Sequence, residues 1–394
     1  MNDLKQKIKT LASEYHDDII GIRNHLHANP ELSFEEFKTS EYVCSLLDQM
    51  NIPYQKGIIK TGIIGTIEGK NPSKRTVALR AELDALPIFE KNDIPYKSKN
   101  DGVMHACGHD VHMASILGAA KILNSSKEDW EGTVKLVFQP GEEKLPGGAI
   151  QMIEAGVLED LNASVMLALH VLPSMEAGRV GFRPGPYMAS ADEIYLTVKG
   201  QGGHAALPAL NIDPIPMAAE ILVALNQIKP DFDTPMVLAF GKIVAAGATN
   251  VIPNEVQIEG TFRAMNEEWR DEVHRRVEET AKQIAEKHGG TCEVLIKKGY
   301  PCLVNDEQVA KDAKANAQDY LGAEQVDDLD LRMTADDFAS FSQRLPACFL
   351  RIGVGNKEKG ITSGVHTDTF NIDEKALEIS IGLMAWLAVN ELAQ

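Results

Sequence analysis

Three histidines, a cysteine and an aspartate share nine residues, 104–112 (MHACGHDVH), in a chain of 394 residues that holds only 11 histidines. Thiolate sulfur, imidazole nitrogen and carboxylate oxygen form the ligand set of zinc-type cations, and sets that include carboxylates also suit manganese or cobalt. Further groups of this kind directly follow short apolar runs: Asp84 after TVALRAEL, Glu142 and Glu143 after TVKLVFQPG, and His170 after ASVMLAL. The pattern points to a metal centre gathered from several segments. Glu142 and Glu143, set between Pro140-Gly141 and Pro146-Gly147-Gly148, suit a turn on which one carboxylate ligates a cation while its neighbour faces water as a general base.

Taken singly, most of these groups have a commonplace explanation. A pair of glutamates is usually a solvated surface feature, a buried cysteine is usually packing, and a histidine after a strand is often a satisfied polar group. Only the 104–112 cluster argues for chemistry by itself. A Cys–His nucleophile pair built on Cys107 is the competing chemistry, but it leaves Glu142, Glu143 and Asp84 without a role. Within the cluster, His112 falls inside the following helix and is expected to support a ligand rather than act as one, and His105 precedes the turn and fits either role.

Something must hold these groups in place. Asp110 reads as the N-cap of a helix that begins Val111-His112, which leaves Cys107 and His109 on the loop before it. Apolar runs at 76–83, 133–139 and 163–169 alternate with helical patterns at 111–123 and 149–157. This βαβ alternation predicts an α/β fold with a mixed, mainly parallel central sheet flanked by helices. In open sheets of that kind ligands gather beyond the carboxyl ends of the strands, where the polar groups fall. After the Pro/Gly punctuation RPGPY (183–187) the order becomes strand 193–199, helix 214–228, strands 237–245 and 255–263, helix 267–288 and strand 291–297. That βαββαβ order is the ferredoxin-like arrangement. Past Gly299-Tyr300-Pro301 the pattern returns to helices and short strands, ending in an apolar helix over 377–392. The expected organisation is a discontinuous metal-binding domain, 1–185 and 300–394, interrupted by a ferredoxin-like α+β insert, 186–299.

A net charge of −18 and a pI near 5.1 argue against binding to nucleic acid or to an anionic membrane, both of which need concentrated Lys and Arg. Five widely spaced cysteines without a C-x-x-C pair argue against a disulfide framework. The first residues read as a charged amphipathic helix rather than a signal peptide, and the apolar stretch 381–389 is too short to span a bilayer. A soluble, cytoplasmic protein is expected.

The segments MHACGHDVHMASILGAAKIL, VFQPGEE, LALH, GQGGHAALP and TNVIPNEVQIEGTFR resemble the amidohydrolase branch of the dinuclear-metal aminoacylase and carboxypeptidase superfamily. The resemblance runs from RNHLHANPELSFEE (23–36) to VHTDTFNIDE (365–374). That branch holds hippurate hydrolases, indole-acetyl-amino-acid hydrolases and N-acetyldiaminopimelate deacetylases.

The resemblance implies two divalent metal ions per subunit (zinc, manganese, cobalt or nickel), with Cys107 bridging them and His109, Glu143, His170 and His366 completing their shells. It implies that Glu142 is the general base and that Asp84 orients a metal ligand. His204 and Asn250 would reach from the insert toward the substrate oxyanion, His204 being typically supplied by the partner subunit of a homodimer. Arg263 is a candidate for gripping a free carboxylate, a structural ion pair within its sheet being the other reading. The implied activity is hydrolysis of the amide bond of small N-acyl-L-amino acids. A dipeptidase or carboxypeptidase on the same scaffold, or a non-catalytic metal-binding protein, are the alternatives. The chain departs from the branch at Glu82, where an aspartate is common, at Ala209, where a histidine is common, and in VHTD, where an LHSP-like motif is common.

Overall fold

Alternate residues of the apolar runs have two different surfaces to cover, which is what makes them strands rather than helices. The structure, a computed structural model, describes residues 1–229 and 234–394. The chain divides into two units, one of residues 1–185, 304–330 and 337–394, the other of residues 186–303 and 331–336.

In the first unit eight of the described strands form one sheet: β1 (Tyr54–Ile58), β2 (Gly62–Glu68), β3 (Thr76–Glu82), β4 (Thr133–Gln139), β5 (Val165–Glu176), β6 (Val180–Phe182), β7 (Val326–Asp328) and β8 (Ala347–Gly355). They lie side by side as β1-β2-β4-β3-β5-β8-β6-β7. The inner four, β4, β3, β5 and β8, run parallel. The pairs β1/β2, β2/β4 and β6/β8 are antiparallel, so the sheet is mixed and mainly parallel at its centre.

One set of alternate residues, Val77, Leu79 and Ala81 of β3 with Val134, Leu136 and Phe138 of β4, joins the main apolar core. That core also takes in the helices Asn2–Ala28, His109–Ser125 and Lys375–Leu392. The first of these helices buries Leu4, Ile8, Ala12, Ile19, Arg23 and Leu26, a spacing of three, four and seven that lays one face on the core. The other alternate set of the strands carries Arg80, Glu82, Gln139, His170 and Arg351, all buried. Glu82 lies opposite Gln139 in the β3/β4 register, and Leu83 donates its amide to the Gln139 carbonyl at 2.8 Å. The two strands therefore end level, and the chain delivers Asp84 and Glu142 to the same rim.

Two local readings need correction. The helix starts at His109, with Gly108 as N-cap at φ 86° and no side-chain cap; Asp110 sits in its first turn instead of before it. His170 lies inside β5, which continues through Pro173 to Glu176, because β8 pairs alongside it as far as Gly355.

The second unit has the strands Asp192–Lys199, Met236–Val244, Glu255–Ala264 and Thr291–Lys298, with the helices Pro214–Leu225 and Glu267–Lys287 between them in sequence. Its antiparallel sheet places Glu255–Ala264 and Asp192–Lys199 in the middle, Met236–Val244 and Thr291–Lys298 at the edges. This is the ferredoxin-like order. Its own core is built on Ile194, Leu196, Ile221, Phe262, Trp269 and Val273.

Candidate metal centre

The loop before the helix His109–Ser125 turns sharply at Gly108. A Cβ there would stand 2.6 Å from Val171 Cγ2, and φ 86° belongs to the left-handed region that glycine alone enters freely. The turn brings Cys107 Sγ to 3.4 Å from His170 Nε2. Ligand atoms of Cys107, His109 and His170 lie within 4.8 Å of one another, as do those of Cys107, Glu143 and His366, and those of His109, Glu142 and Glu143. The five residues expected to hold metal, together with Glu142, therefore meet at one place.

The imidazoles are held in the tautomer that a cation needs. His109 Nδ1 donates to the Asp84 carbonyl at 2.8 Å and His170 Nδ1 donates to the Val171 carbonyl at 2.8 Å, so Nε2 of each faces the centre. His109 Nε2 and Glu143 Oε1 are buried and make no hydrogen bond, although His366 Nε2 is only 3.2 Å from Glu143 Oε1. Buried polar atoms are ordinarily satisfied, so atoms aimed at one another without bonding fit a cation between them. His366 itself has φ 61°, an uncommon conformation for a residue with a side chain, and its amide is anchored to the Ala106 carbonyl at 2.8 Å.

Electrostatics agree with this fit. Burial works against protonation of His109, yet Glu82, Asp84 and Glu143 outweigh it and lift its pKa to about 10. Burial, then the charges of Glu143 and Glu142, push the Cys107 thiol well up, while burial and the Arg351 charge push His170 well down. A thiol and a neutral imidazole in contact make a poor nucleophile pair, because the thiolate is the reactive form. The same sulfur beside a divalent cation ionises. The carboxylates that disfavour a thiolate are the ones that favour a cation.

Behind these residues lies a buried network. His112 Nδ1 donates to Glu82 at 2.8 Å and its Nε2 accepts from the Val171 amide at 3.0 Å, so both ring nitrogens are spent. Glu82 also pairs with Arg80, whose other nitrogen reaches Asp337 at 2.7 Å. Asp337 accepts from Gln139 Nε2 at 2.8 Å and from the Ala149 amide at 2.9 Å. Asp84 Oδ2 accepts from Ser33 Oγ at 2.7 Å and from the Glu143 amide at 2.9 Å. Burial opposes ionisation of Asp84, but His109 and these donors outweigh it and hold its carboxyl below the usual range. Asp110 accepts from Arg23 Nε and His27 Nδ1, each at 2.8 Å. Sequence reasoning missed Arg80, Asp337 and Ser33. Arg80 carried a signal, a charge in the middle of an apolar run; Asp337 and Ser33 carried none.

The second unit places His204 and Asn250 side by side. His204 pairs with Val251 in a short two-stranded ribbon, and the Ala205 amide donates to the Asn250 carbonyl at 3.0 Å. Both side chains are exposed. His204 Nδ1 accepts from the Ala206 amide at 3.1 Å, which leaves Nε2–H as a free donor in the neutral ring. Arg263 is half-buried opposite Val237. Burial lowers its pKa against the raising effect of the Asp192 charge.

A sequence profile described as peptidase family M20/M25/M40 matches residues 78–390. The chain belongs to this family. Among relatives of this M20 chain, thermostable carboxypeptidase 2 of Saccharolobus solfataricus is 35% identical over 395 residues, 98% of both chains. The N-acyl-L-amino acid amidohydrolase of Geobacillus stearothermophilus is 39% identical over 307 residues, 77% of this chain and 82% of that one. A crystal structure from Bacillus subtilis, described as a dinuclear metal binding peptidase from the M20 family, superposes with a TM-score of 0.86 at 33% identity over 97% of this chain and 99% of that one. No described helix is long and apolar enough to cross a membrane.

Proposed function

We propose that this M20 protein is a metal-dependent amidohydrolase that cleaves N-acyl-L-amino acids to a carboxylic acid and a free amino acid. The carrying observation is the convergence of Cys107, His109, Glu143, His170 and His366 with unsatisfied ligand atoms buried between them. The similarity to an N-acyl-L-amino acid amidohydrolase supports the substrate class, and the similarity to a dinuclear M20 peptidase supports two cations.

Cys107, His109, Glu143, His170 and His366 would hold the pair, with zinc, manganese, cobalt and nickel all compatible with their mixed donors. Such a pair, when bound, polarises the amide carbonyl and acidifies water. Glu142 takes the proton from the attacking water as the carbon–oxygen bond forms. It then delivers that proton to the amine nitrogen as the carbon–nitrogen bond breaks. Asp84 keeps His109 in its ligating orientation. His204, through Nε2–H, and Asn250 stabilise the negative charge that develops on the carbonyl oxygen. Arg263 takes the α-carboxylate of the substrate; among the described residues it makes no ion pair that would compete. The five unpaired cysteines fit a reducing cytoplasm.

The second unit also serves, in this reading, to join two copies. Among the described residues the strand Met236–Val244 is an open sheet edge with Val237, Ile243 and Val244 exposed, and open edges invite pairing with a second chain. His204 would then act at the centre of the partner subunit.

The relative named a carboxypeptidase keeps peptide cleavage as a second reading, and one assay separates them. Metal-free protein reloaded with each of the four cations is given N-acetyl and N-benzoyl amino acids beside dipeptides with free amino ends. Higher kcat/KM on the acylated series is expected; preference for free dipeptides would transfer the assignment to a dipeptidase.

A further inference from the structure

The segment 23–36, RNHLHANPELSFEE, supports the centre through Arg23, His27 and Ser33, and one of its carboxylates also reaches the turn that carries Glu142. Glu36 is fully buried and stands at the N-cap of the helix Phe37–Gln49 without capping it by its side chain. Its carboxylate is spent on other segments instead. Oε1 accepts from the Phe34 amide at 2.7 Å and from the Gly141 amide at 2.9 Å, and Oε2 accepts from Thr61 Oγ1 at 2.7 Å. Gly141 has φ 60°, and a Cβ on it would stand 2.3 Å from Phe34 Cζ, so the turn is pressed against the same segment that holds it.

On the other side of Glu142, the Glu143 amide is held by Asp84 at 2.9 Å. The Pro140–Gly141 and Glu142–Glu143 peptide groups, which bracket Glu142, are therefore each tied to a separate buried carboxylate, and neither carboxylate belongs to the turn itself. Backbone ties of this kind fix where a side chain starts.

We propose that Glu36 is a positioning residue for hydrolysis, setting the placement of Glu142 through the Gly141 amide. This rests on Glu142 being the general base. Misplacing a reacting group by about 1 Å costs on the order of 100-fold in rate, so loss of the tie should appear in kcat rather than in KM. Glutamine retains the acceptor that Gly141 and Phe34 share, and its amide can donate to the Thr61 hydroxyl, so the isosteric change preserves the tie that alanine removes.

The test compares Glu36→Ala, Glu36→Gln and Glu142→Gln with the unaltered full chain. It measures kcat and KM, bound cations per chain, and amide exchange of residues 139–145 in metal-free and metal-loaded protein. Glu36→Ala is expected to lower kcat by about 10- to 100-fold, with KM within about twofold, cation content unchanged and faster exchange at the turn in both forms. Glu36→Gln should stay within about threefold of the unaltered kcat, with exchange unchanged. Should Glu36→Ala fail to fold, Glu36→Asp, which keeps the charge but shortens the reach, is expected to show the same loss of kcat and the same faster exchange. The proposal is overturned if kcat survives loss of the tie, if kcat falls only in step with lost cations or lost folded protein, or if glutamine is no better than alanine. Should Glu142→Gln keep its turnover, the general-base reading itself falls and the proposal falls with it, which separates the two failures.

Discussion

Glu142 and Glu143 are neighbours of the same type, yet their surroundings divide them. Glu143 faces His366 and His109, with an oxygen that makes no hydrogen bond, and its amide is tied to Asp84. Glu142 is buried and also stands 3.9 Å from His109 Nε2, but its Oε1 lies 3.4 Å from the Asp337 amide, and it is Glu143 that meets His366. A group among ligands and a group beside them suit a ligand and a proton carrier. Glu142→Gln keeps the shape and removes the basic oxygen, so kcat should fall by about 10²- to 10⁴-fold, with KM and bound metal nearly unchanged. Steady-state kinetics on metal-quantified protein checks this, and near-normal turnover would remove Glu142 from the proton path.

Elements of structure account for what could and could not be seen in advance. The strands over Thr76–Glu82 and Thr133–Gln139 were legible because short apolar runs bounded by polar groups leave few alternatives. The candidate residues were legible because Cys107 and His109 stand two apart and Glu142 and Glu143 are adjacent in sequence. Asp110 was misjudged for a physical reason: its partners, Arg23 and His27, lie 87 and 83 residues away, and such an attraction overrides a local capping preference that contributes about 1 kcal/mol. The apolar run 163–169 puts His170 after its strand, whereas β5 carries on beside β8. Glu36, Ser33 and Asp337 could not be found from local pattern, since each matters only through a partner brought near by folding.

The second unit shows the same logic in a purely structural role. Asp192 is buried between Arg270 and His274, and accepts the Gly299 amide at 3.0 Å. Burial opposes its ionisation, but Arg270 and His274 outweigh it and hold its pKa at about 2 against an ordinary 3.8. A depressed carboxylate contributes stability above its unfolded pKa and loses it as pH falls through the folded one. The contribution, about 2 kcal/mol, should thus be complete above about pH 4 and drain away from 3.8 toward 2. Thermal melts of the unaltered chain and Asp192→Asn at stepped pH read this directly. The gap in Tm should narrow as pH drops below 4, and a gap independent of pH would contradict the account.

At the scale of the whole molecule, a metal-binding α/β unit is interrupted by a ferredoxin-like unit with an open, partly apolar sheet edge. The proposed homodimer predicts twice the chain mass of 43.1 kDa by light scattering at working concentration, and a fully active monomer would contradict it. The central claim, however, is that donors from five separated positions share one cluster of cations. Anomalous diffraction from zinc-loaded crystals, recorded on both sides of the metal edge, tests it most directly. Two peaks are predicted, both within bonding distance of Cys107 Sγ and with His109, Glu143, His170 and His366 divided between them. Peaks elsewhere, or no ordered metal beside Cys107, would contradict the account.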